Sequence, residues 1–94
     1  MNPAPNATRI EAMRARLAAL APLALEIVDE SHKHAGHAGA RDGRGHFAVR
    51  IVSAAFDGLP LLARHRRVYA ALDSLMQTDI HALSLQTLTP SELE

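Results

Sequence analysis

The stretch between Glu30 and Gly45 limits the fold of this chain more than any other segment. Four of the five glycines fall in it, and it contains almost no large apolar side chain. Glycine favours irregular backbone, and a segment without apolar periodicity cannot cover a hydrophobic core. We therefore predict a long loop here, with regular secondary structure on either side. The loop contains three of the six histidines: His32, His34 and His37.

The residues before the loop predict a helix and a strand. Residues 1–7 are rich in proline and asparagine, which predicts a disordered lead-in. Thr8 and Glu11 have the spacing of a capping box, in which each side chain bonds a free amide of the first turn. Apolar residues at helical spacing then predict a helix over 9–21, and a short apolar run predicts the first strand over 23–29.

The residues after the loop predict two more strands separated by a helix. The second strand is indicated by three apolar residues that alternate with smaller or polar ones: Phe47, Val49 and Ile51. A broad apolar face at helical spacing predicts a helical segment over 59–76, with a break near 60–63. Residues 80–88 predict the third strand, and residues 89–92 form a second capping box that opens a last short helix.

The order helix, strand, loop, strand, helix, strand, helix predicts a single α+β domain. Strands joined through a helix run parallel, whereas strands joined by a loop run antiparallel. We therefore expect a three-stranded mixed sheet with the helices packed on one face. The second and third strands then begin at the same edge, where the loop ends. His46 and His81 stand at the starts of these strands and should lie close to the loop histidines.

Composition excludes several functional classes. Ten basic and ten acidic residues cancel, so no global field attracts the chain to nucleic acid or to a membrane. Cysteine is absent, which excludes disulfides, thiolate catalysis and an all-cysteine metal site made by this chain alone. No run approaches the roughly 20 apolar residues of a membrane span. We expect a soluble cytoplasmic protein without a membrane partner.

The histidines support two interpretations. Neutral imidazole is the commonest protein ligand for borderline metals, so the predicted cluster of histidines is a candidate metal site. The alternative is a polar, solvated loop. No fixed motif such as HExxH is present and the loop histidines are irregularly spaced, which favours an incomplete site finished by a partner. His65, on the apolar side of the main helix, is expected to be packed and hydrogen-bonded in the core.

Other polar residues suggest binding more than catalysis. Arg64, Arg66 and Arg67 form either a solvated helix face or a patch that holds phosphate or a partner's carboxylate. Ser31 lies near acidic residues and histidines, but nothing resembles a nucleophile elbow. Gly36-His37-Ala38-Gly39 matches the GxxG of KH modules, yet it lies between strands instead of helices. We expect neither an enzyme nor a small-molecule substrate.

Several spaced motifs in this chain resemble the BolA family. In chain order they are Asp29-Glu30-Ser31 with His34, His46-Phe47, Val52-Ser53, Phe56 with Gly58, Arg64-His65-Arg66 with Val68-Tyr69, Ile80-His81-Ala82-Leu83, and Thr89-Pro90. The motifs cover nearly the whole chain, and by this resemblance residues 8–94 are identified as a BolA-like domain. The family implies an αββαβ arrangement similar to the class II KH fold, in agreement with the order of elements above.

The resemblance also implies a function. BolA-like proteins pair with monothiol glutaredoxins and share a bridging [2Fe–2S] cluster in iron–sulfur trafficking and iron regulation. The glutaredoxin and glutathione supply thiolates, and the BolA-like partner supplies imidazoles. Carried over to this chain, the ligands are His34 and His81, with His37 as the alternative loop ligand. Two imidazoles on a thiolate-ligated cluster would be similar to a Rieske centre. No cofactor is expected on the chain alone.

Family members are also linked to transcription, morphology and stress responses, which implies a second hypothesis of DNA binding. In this chain the surface would comprise Arg64, Arg66, Arg67 and Arg50. Neutral net charge and the scarcity of aromatic rings for stacking on bases oppose this interpretation. A glutaredoxin-binding adaptor is therefore our first hypothesis and a DNA-binding regulator our second. A free-standing metal-binding domain comes third, because the ligand set is incomplete.

Overall fold

The first helix packs across the sheet and begins earlier than the sequence indicates. The computed structural model describes residues 4–31 and 44–93. Helix α1 spans Ala4–Leu17, and a 3₁₀ turn over Ala18–Leu20 extends it. The helical path ends at Ala21, whose φ of 48° lies in the left-handed region.

The start of α1 corrects two predictions. Residues 4–7 are helical instead of disordered, and Thr8 lies inside the helix instead of capping it. Residues 1–3 lie outside the described part. Asn6 and Arg9 explain the earlier start, because each side chain is hydrogen-bonded to an aspartate far away in the chain. A capping pattern involves only neighbouring residues and cannot reveal such partners.

Three strands form the predicted mixed sheet. Strand β1 (Ala24–Asp29) pairs antiparallel with β2 (Gly45–Val52), and β3 (Ile80–Leu88) runs parallel to β2. The strand order is β1-β2-β3, with β2 in the centre. Both predicted pairings are confirmed. The parallel pair brings the starts of β2 and β3 to the same edge, beside the end of β1.

The helical segment between β2 and β3 is divided, but not where the sequence suggested. Helix α2 spans Leu61–Leu72 and α3 spans Leu75–Thr78. The predicted break near 60–63 is only the start of α2, which Pro60 precedes. The true break is at Asp73, whose positive φ of 51° interrupts the helical backbone between α2 and α3.

The core lies between the helices and one face of the sheet. Its buried members are Met13, Leu17, Leu20, Phe47, Val49, Ile51, Phe56, Val68, Leu72, Leu75 and Ile80. Alternate residues of the strands face the other way, and Glu26, Ser84 and Gln86 are exposed there. The prediction that the helices pack on one face is confirmed.

The chain after β3 turns back on itself. The second capping box is present in part, because the amide of Thr89 donates to Oε1 of Glu92 at 2.9 Å. The helix it was expected to open is a 3₁₀ turn over Pro90–Leu93.

Candidate functional site

An irregularity in the sheet exposes His81 at the edge where β2 and β3 begin. Gly45 is opposite Ile80 in the register, whereas the next residue, His46, is opposite Ala82. Strand β3 therefore has one additional residue, His81, at this point. Such a bulge redirects the side chain of the additional residue. His81 is exposed and does not join Ile80 and Leu83 in packing against the core.

The redirected imidazole lies over a second histidine. The ring centroids of His46 and His81 are 5.1 Å apart and the ring planes are inclined by 44°. His46 is only 6% exposed, so it forms a buried support beneath the exposed ring. The convergence that the predicted topology implied for these two residues is confirmed.

Arg44 contacts the same ring and was missed by sequence reasoning. Its Nη2 is 3.2 Å from Nδ1 of His81, and its Nη1 donates to the carbonyl of Gln77 at 3.3 Å. A guanidinium can only donate, so Nδ1 of His81 is the acceptor when this contact is a hydrogen bond. The predicted topology was the available signal, because it places the residue before β2 at the same edge as the start of β3.

The end of β1 is fastened to the start of β2 by hydrogen bonds. The amide of His46 donates to Oγ of Ser31 at 3.0 Å, and the amide of Glu30 donates to the carbonyl of His46 at 2.8 Å. The amide of Ser31 in turn donates to Oδ1 of Asp29 at 2.9 Å. Ser31 therefore joins the two strand ends, which is a structural role.

Asp79 directly precedes β3, and its carboxylate is hydrogen-bonded on two sides. The Thr78 hydroxyl donates to its carboxylate, as does Nε of Arg9 at 3.1 Å. These donors, Thr78 first, hold the pKa of the Asp79 carboxyl below its usual range. The carboxylate therefore stays charged beside the base of β3.

The described residues do not form a complete metal site. His34, His37 and His32 lie outside the described residues. Within residues 4–31 and 44–93, no group of three or more histidine, aspartate or glutamate side chains could hold a metal ion.

The structure separates the four predicted arginines. Arg64 bonds the carbonyls of Leu59 and Thr87 and forms a two-pronged ion pair with Glu92, so its guanidinium is used inside the fold. The structure therefore corrects the prediction that Arg64 belongs to an exposed basic patch. Arg66 and Arg67 are exposed on α2.

Arg50 and His65 also differ from their predicted settings. Arg50 lies on the face of the sheet away from the helices, where Glu26 is its cross-strand neighbour, so it shares no surface with α2. His65 is predicted to be packed and hydrogen-bonded in the core, but it is half-buried, and its Nε2 is buried without a hydrogen-bond partner among the described residues.

Comparison with known proteins identifies the family. The family model described as BolA-like protein matches residues 17–92. The chain belongs to the BolA-like family. Its match includes the whole sheet, the bulge and the Arg64–Glu92 pair.

The BolA-like chain has relatives in plants and bacteria. It is 49% identical over 76 residues to protein BOLA1, chloroplastic, of Arabidopsis thaliana, covering 78% of this chain and 48% of that protein. It is 46% identical over 79 residues to the SufE-like protein 1, chloroplastic/mitochondrial, of the same plant, covering 79% of this chain and 21% of that protein. The chain thus spans about half the length of protein BOLA1 and about a fifth of the length of the SufE-like protein 1.

A bacterial relative is covered more fully. The DNA-binding transcriptional regulator BolA of Escherichia coli is 44% identical over 77 residues, covering 82% of this chain and 70% of the regulator. The BolA1 and BolA relatives have names that describe a regulator or a BolA-like protein, and these names mention no reaction.

Solved structures agree with the fold. BolA1 from Arabidopsis thaliana superimposes with a TM-score of 0.76 at 42% identity, covering 89% of this chain and 94% of that one. The BolA domain of SufE1 from the same plant also gives 0.76, at 41% identity and with 87% and 92% coverage. Within the described part of the BolA-like chain, no helix is long and apolar enough to cross a membrane.

Proposed function

We propose that this chain is a non-enzymatic adaptor that binds a monothiol glutaredoxin and completes a bridging [2Fe–2S] cluster with it. One observation carries the proposal: an exposed imidazole, His81, stands on a bulge at the sheet edge and is supported from below by the buried ring of His46. Imidazole is an established ligand of [2Fe–2S] clusters in which histidine replaces cysteine.

The composition of the chain supports a shared cluster. A [2Fe–2S] cluster requires four ligands, and this chain has no cysteine to supply a thiolate. The thiolates would come from the glutaredoxin and glutathione, and His81 would supply one imidazole. The second is assigned to His34, with His37 as the alternative, by the family resemblance alone. The BolA domain of SufE1 supports a link to iron–sulfur proteins only through the name of that relative.

The Arg44 contact adds a condition to this proposal. Nδ1 of His81 already contacts the Arg44 guanidinium, which can only donate and would not share this position with a cationic metal centre. Binding of the cluster by His81 would therefore rearrange the Arg44–His81 contact. Reduced glutathione is also required, which suits a reducing compartment, and we propose the cytoplasm.

Reconstitution tests the adaptor. A monothiol glutaredoxin is loaded with glutathione, iron and sulfide, and its visible absorption and circular dichroism are recorded before and after this chain is added. We expect wild type to change both spectra and His81→Ala to suppress the change. His34→Ala should weaken the change more than His37→Ala does.

Gln86→Ala is the matched control, because Gln86 is also exposed on β3 but lies towards its other end. It should behave as wild type. A glutaredoxin spectrum that wild type leaves unchanged would overturn the proposal.

A second candidate function is DNA binding. It is favoured by the exposure of Arg66 and Arg67 on α2, where no described residue forms an ion pair with them, and by the name of the Escherichia coli relative. Phosphate contacts release counterions, so affinity should fall steeply with salt, and losing one contact should lower the slope by about 1. Arg66→Ala and Arg67→Ala should each lower the slope of this salt dependence. Arg50→Ala should not, because Arg50 lies on the face of the sheet away from the helices. Absence of binding at low salt would eliminate this candidate.

A further inference from the structure

A hydrogen-bonded network connects the first two turns of α1 to both sides of the His46–His81 pair. Its centre is Arg9, whose Nε donates to Oδ2 of Asp79 at 3.1 Å and whose Nη1 donates to Oδ1 of Asn6 at 3.0 Å. The side chains of Arg9 and Asp79 are only 16% and 31% exposed, so water competes weakly for these bonds. Asp79 is two residues before His81.

Asn6 extends the network to the other side of the pair. Its Nδ2 donates to Oδ2 of Asp29 at 3.0 Å and lies 3.4 Å from Oγ of Ser31. The same Ser31 oxygen accepts the amide of His46 at 3.0 Å. The Asn6 side chain thus holds the end of β1 where β1 is fastened to the start of β2.

The backbone closes this network into a ring of contacts. The amide of Gly45, next to His46, donates to the carbonyl of Asp79 at 2.9 Å. Gly45 also admits the Asn6 side chain, because a Cβ atom at position 45 would lie 3.3 Å from Oδ1 of Asn6. Both strand starts that carry the two histidines are therefore held by one turn of α1.

We propose that Asn6 and Arg9 are positioning residues for His81. They hold the start of β3 at a set distance from the start of β2, so that the bulge presents the imidazole in one orientation. The inference deepens the proposed function and rests on it, since the ligand being oriented is the one assigned to the cluster. Binding sites need such support, because loss of geometry of about 0.5 Å already weakens them.

The network is separate from the contacts that attach α1 to the rest of the fold. Met13, Leu17 and Leu20 place the later part of the helical path in the core. Arg16 donates to the carbonyl of Leu72 at 2.9 Å, again at the end away from the site. Removing Arg9 should therefore leave the helix attached while the strand starts become less constrained. This difference separates positioning from general stability.

Amide hydrogen exchange on the chain alone gives the first test. We expect exchange of the His46 amide to become about tenfold faster in Arg9→Ala and in Asn6→Ala, because its acceptor Ser31 loses support. Arg16→Ala is the matched control, because Arg16 belongs to the same helix but is bonded to Leu72. It should leave the exchange rate of the His46 amide unchanged. Arg9→Lys should restore part of the protection, because lysine supplies the charge without the two-pronged geometry.

The shared cluster gives the second test. With the glutaredoxin, Arg9→Ala should alter the circular dichroism of the cluster and increase its rate of loss to a chelator several-fold, whereas Arg16→Ala should not. Equal effects of Arg9→Ala and Arg16→Ala on both readouts, or unchanged His46 exchange in Arg9→Ala, would overturn the positioning role. An unchanged glutaredoxin spectrum with wild type would instead overturn the proposed function, whatever the exchange rates show.

Discussion

The two ends of β3 are built alike and do different things. At its start, Arg9 connects α1 with the residue before the strand; at its end, Arg64 connects α2 with the turn after the strand. Both arginines bond a carboxylate and at least one further oxygen. The residue chemistry is the same, so the difference lies in what surrounds each guanidinium.

At the end of β3, the Arg64 guanidinium is bonded to groups within the fold. Its bonds to Leu59, Thr87 and Glu92 connect the residue before Pro60 and α2 with the end of β3 and with the 3₁₀ turn after it, so they stabilise that end of the fold. The Arg9 network instead reaches Asp79, two residues before the exposed His81, and through Asn6 it also reaches the end of β1. In our proposal the Arg9 network supports function because it ends beside an exposed side chain, whereas the Arg64 bonds support only the fold.

The largest loss of stability should come from adding a side chain at Gly45. A Cβ atom there would lie 2.5 and 2.6 Å from two ring carbons of Phe47, which is 1% exposed and has no room to move. Gly45→Ala should therefore lower the free energy of unfolding by about 1–3 kcal/mol, measured by urea denaturation. Phe47→Leu removes both ring carbons, so the double variant should lose less than the sum of the two single changes. Strict additivity would contradict the steric explanation.

A smaller loss of stability is expected when Gly58, the glycine near the end of β3, is replaced. Gly58 lies beside Arg64 and Glu92, and no atom would be within 4 Å of an added Cβ. Its φ of 78° is costly for residues with a side chain, so Gly58→Ala should lower the free energy of unfolding by about 1–2 kcal/mol. Gly58→Asn should cost less, since asparagine tolerates this region better. Equal costs for alanine and asparagine in the same urea assay would count against backbone strain.

The smallest effect should be the loss of stability at low pH that follows when the Arg64–Glu92 ion pair is weakened. The Arg64 guanidinium, followed by the Thr89 amide, lowers the pKa of Glu92 from its usual 4.5 to about 2. Since this folded pKa lies below the usual value of 4.5, which applies to the unfolded chain, the pair contributes its full stabilisation above about pH 4.5. The contribution is lost as the pH falls to about 2. The Glu92 side chain is 41% exposed, so solvent screening keeps the effect small.

A carboxyl titration followed by NMR measures this effect directly. Arg64→Ala should return the pKa of Glu92 towards its usual range, whereas Arg66→Ala, an exposed arginine of the same helix, should leave it where it is. A low Glu92 pKa that persists in Arg64→Ala would show that the Thr89 amide is sufficient on its own.

The order of the elements, the strand pairing and the convergence of His46 with His81 can all be predicted from the amino-acid sequence. These follow from apolar periodicity and from the geometry of connections, which are local properties of the chain. The contact between Thr89 and Glu92 was also accessible, because the two residues are neighbours in a capping pattern.

Only the tertiary structure decided the start of α1 at Ala4, the break at Asp73, the bulge that exposes His81 and the internal use of Arg64. For three of these the deciding contacts are distant in sequence: Asn6 with Asp29, Gly45 with Ile80, and Arg64 with Glu92. A periodic pattern shows which face of an element is apolar, but a polar side chain acquires its role from the oxygen or nitrogen that folding places beside it.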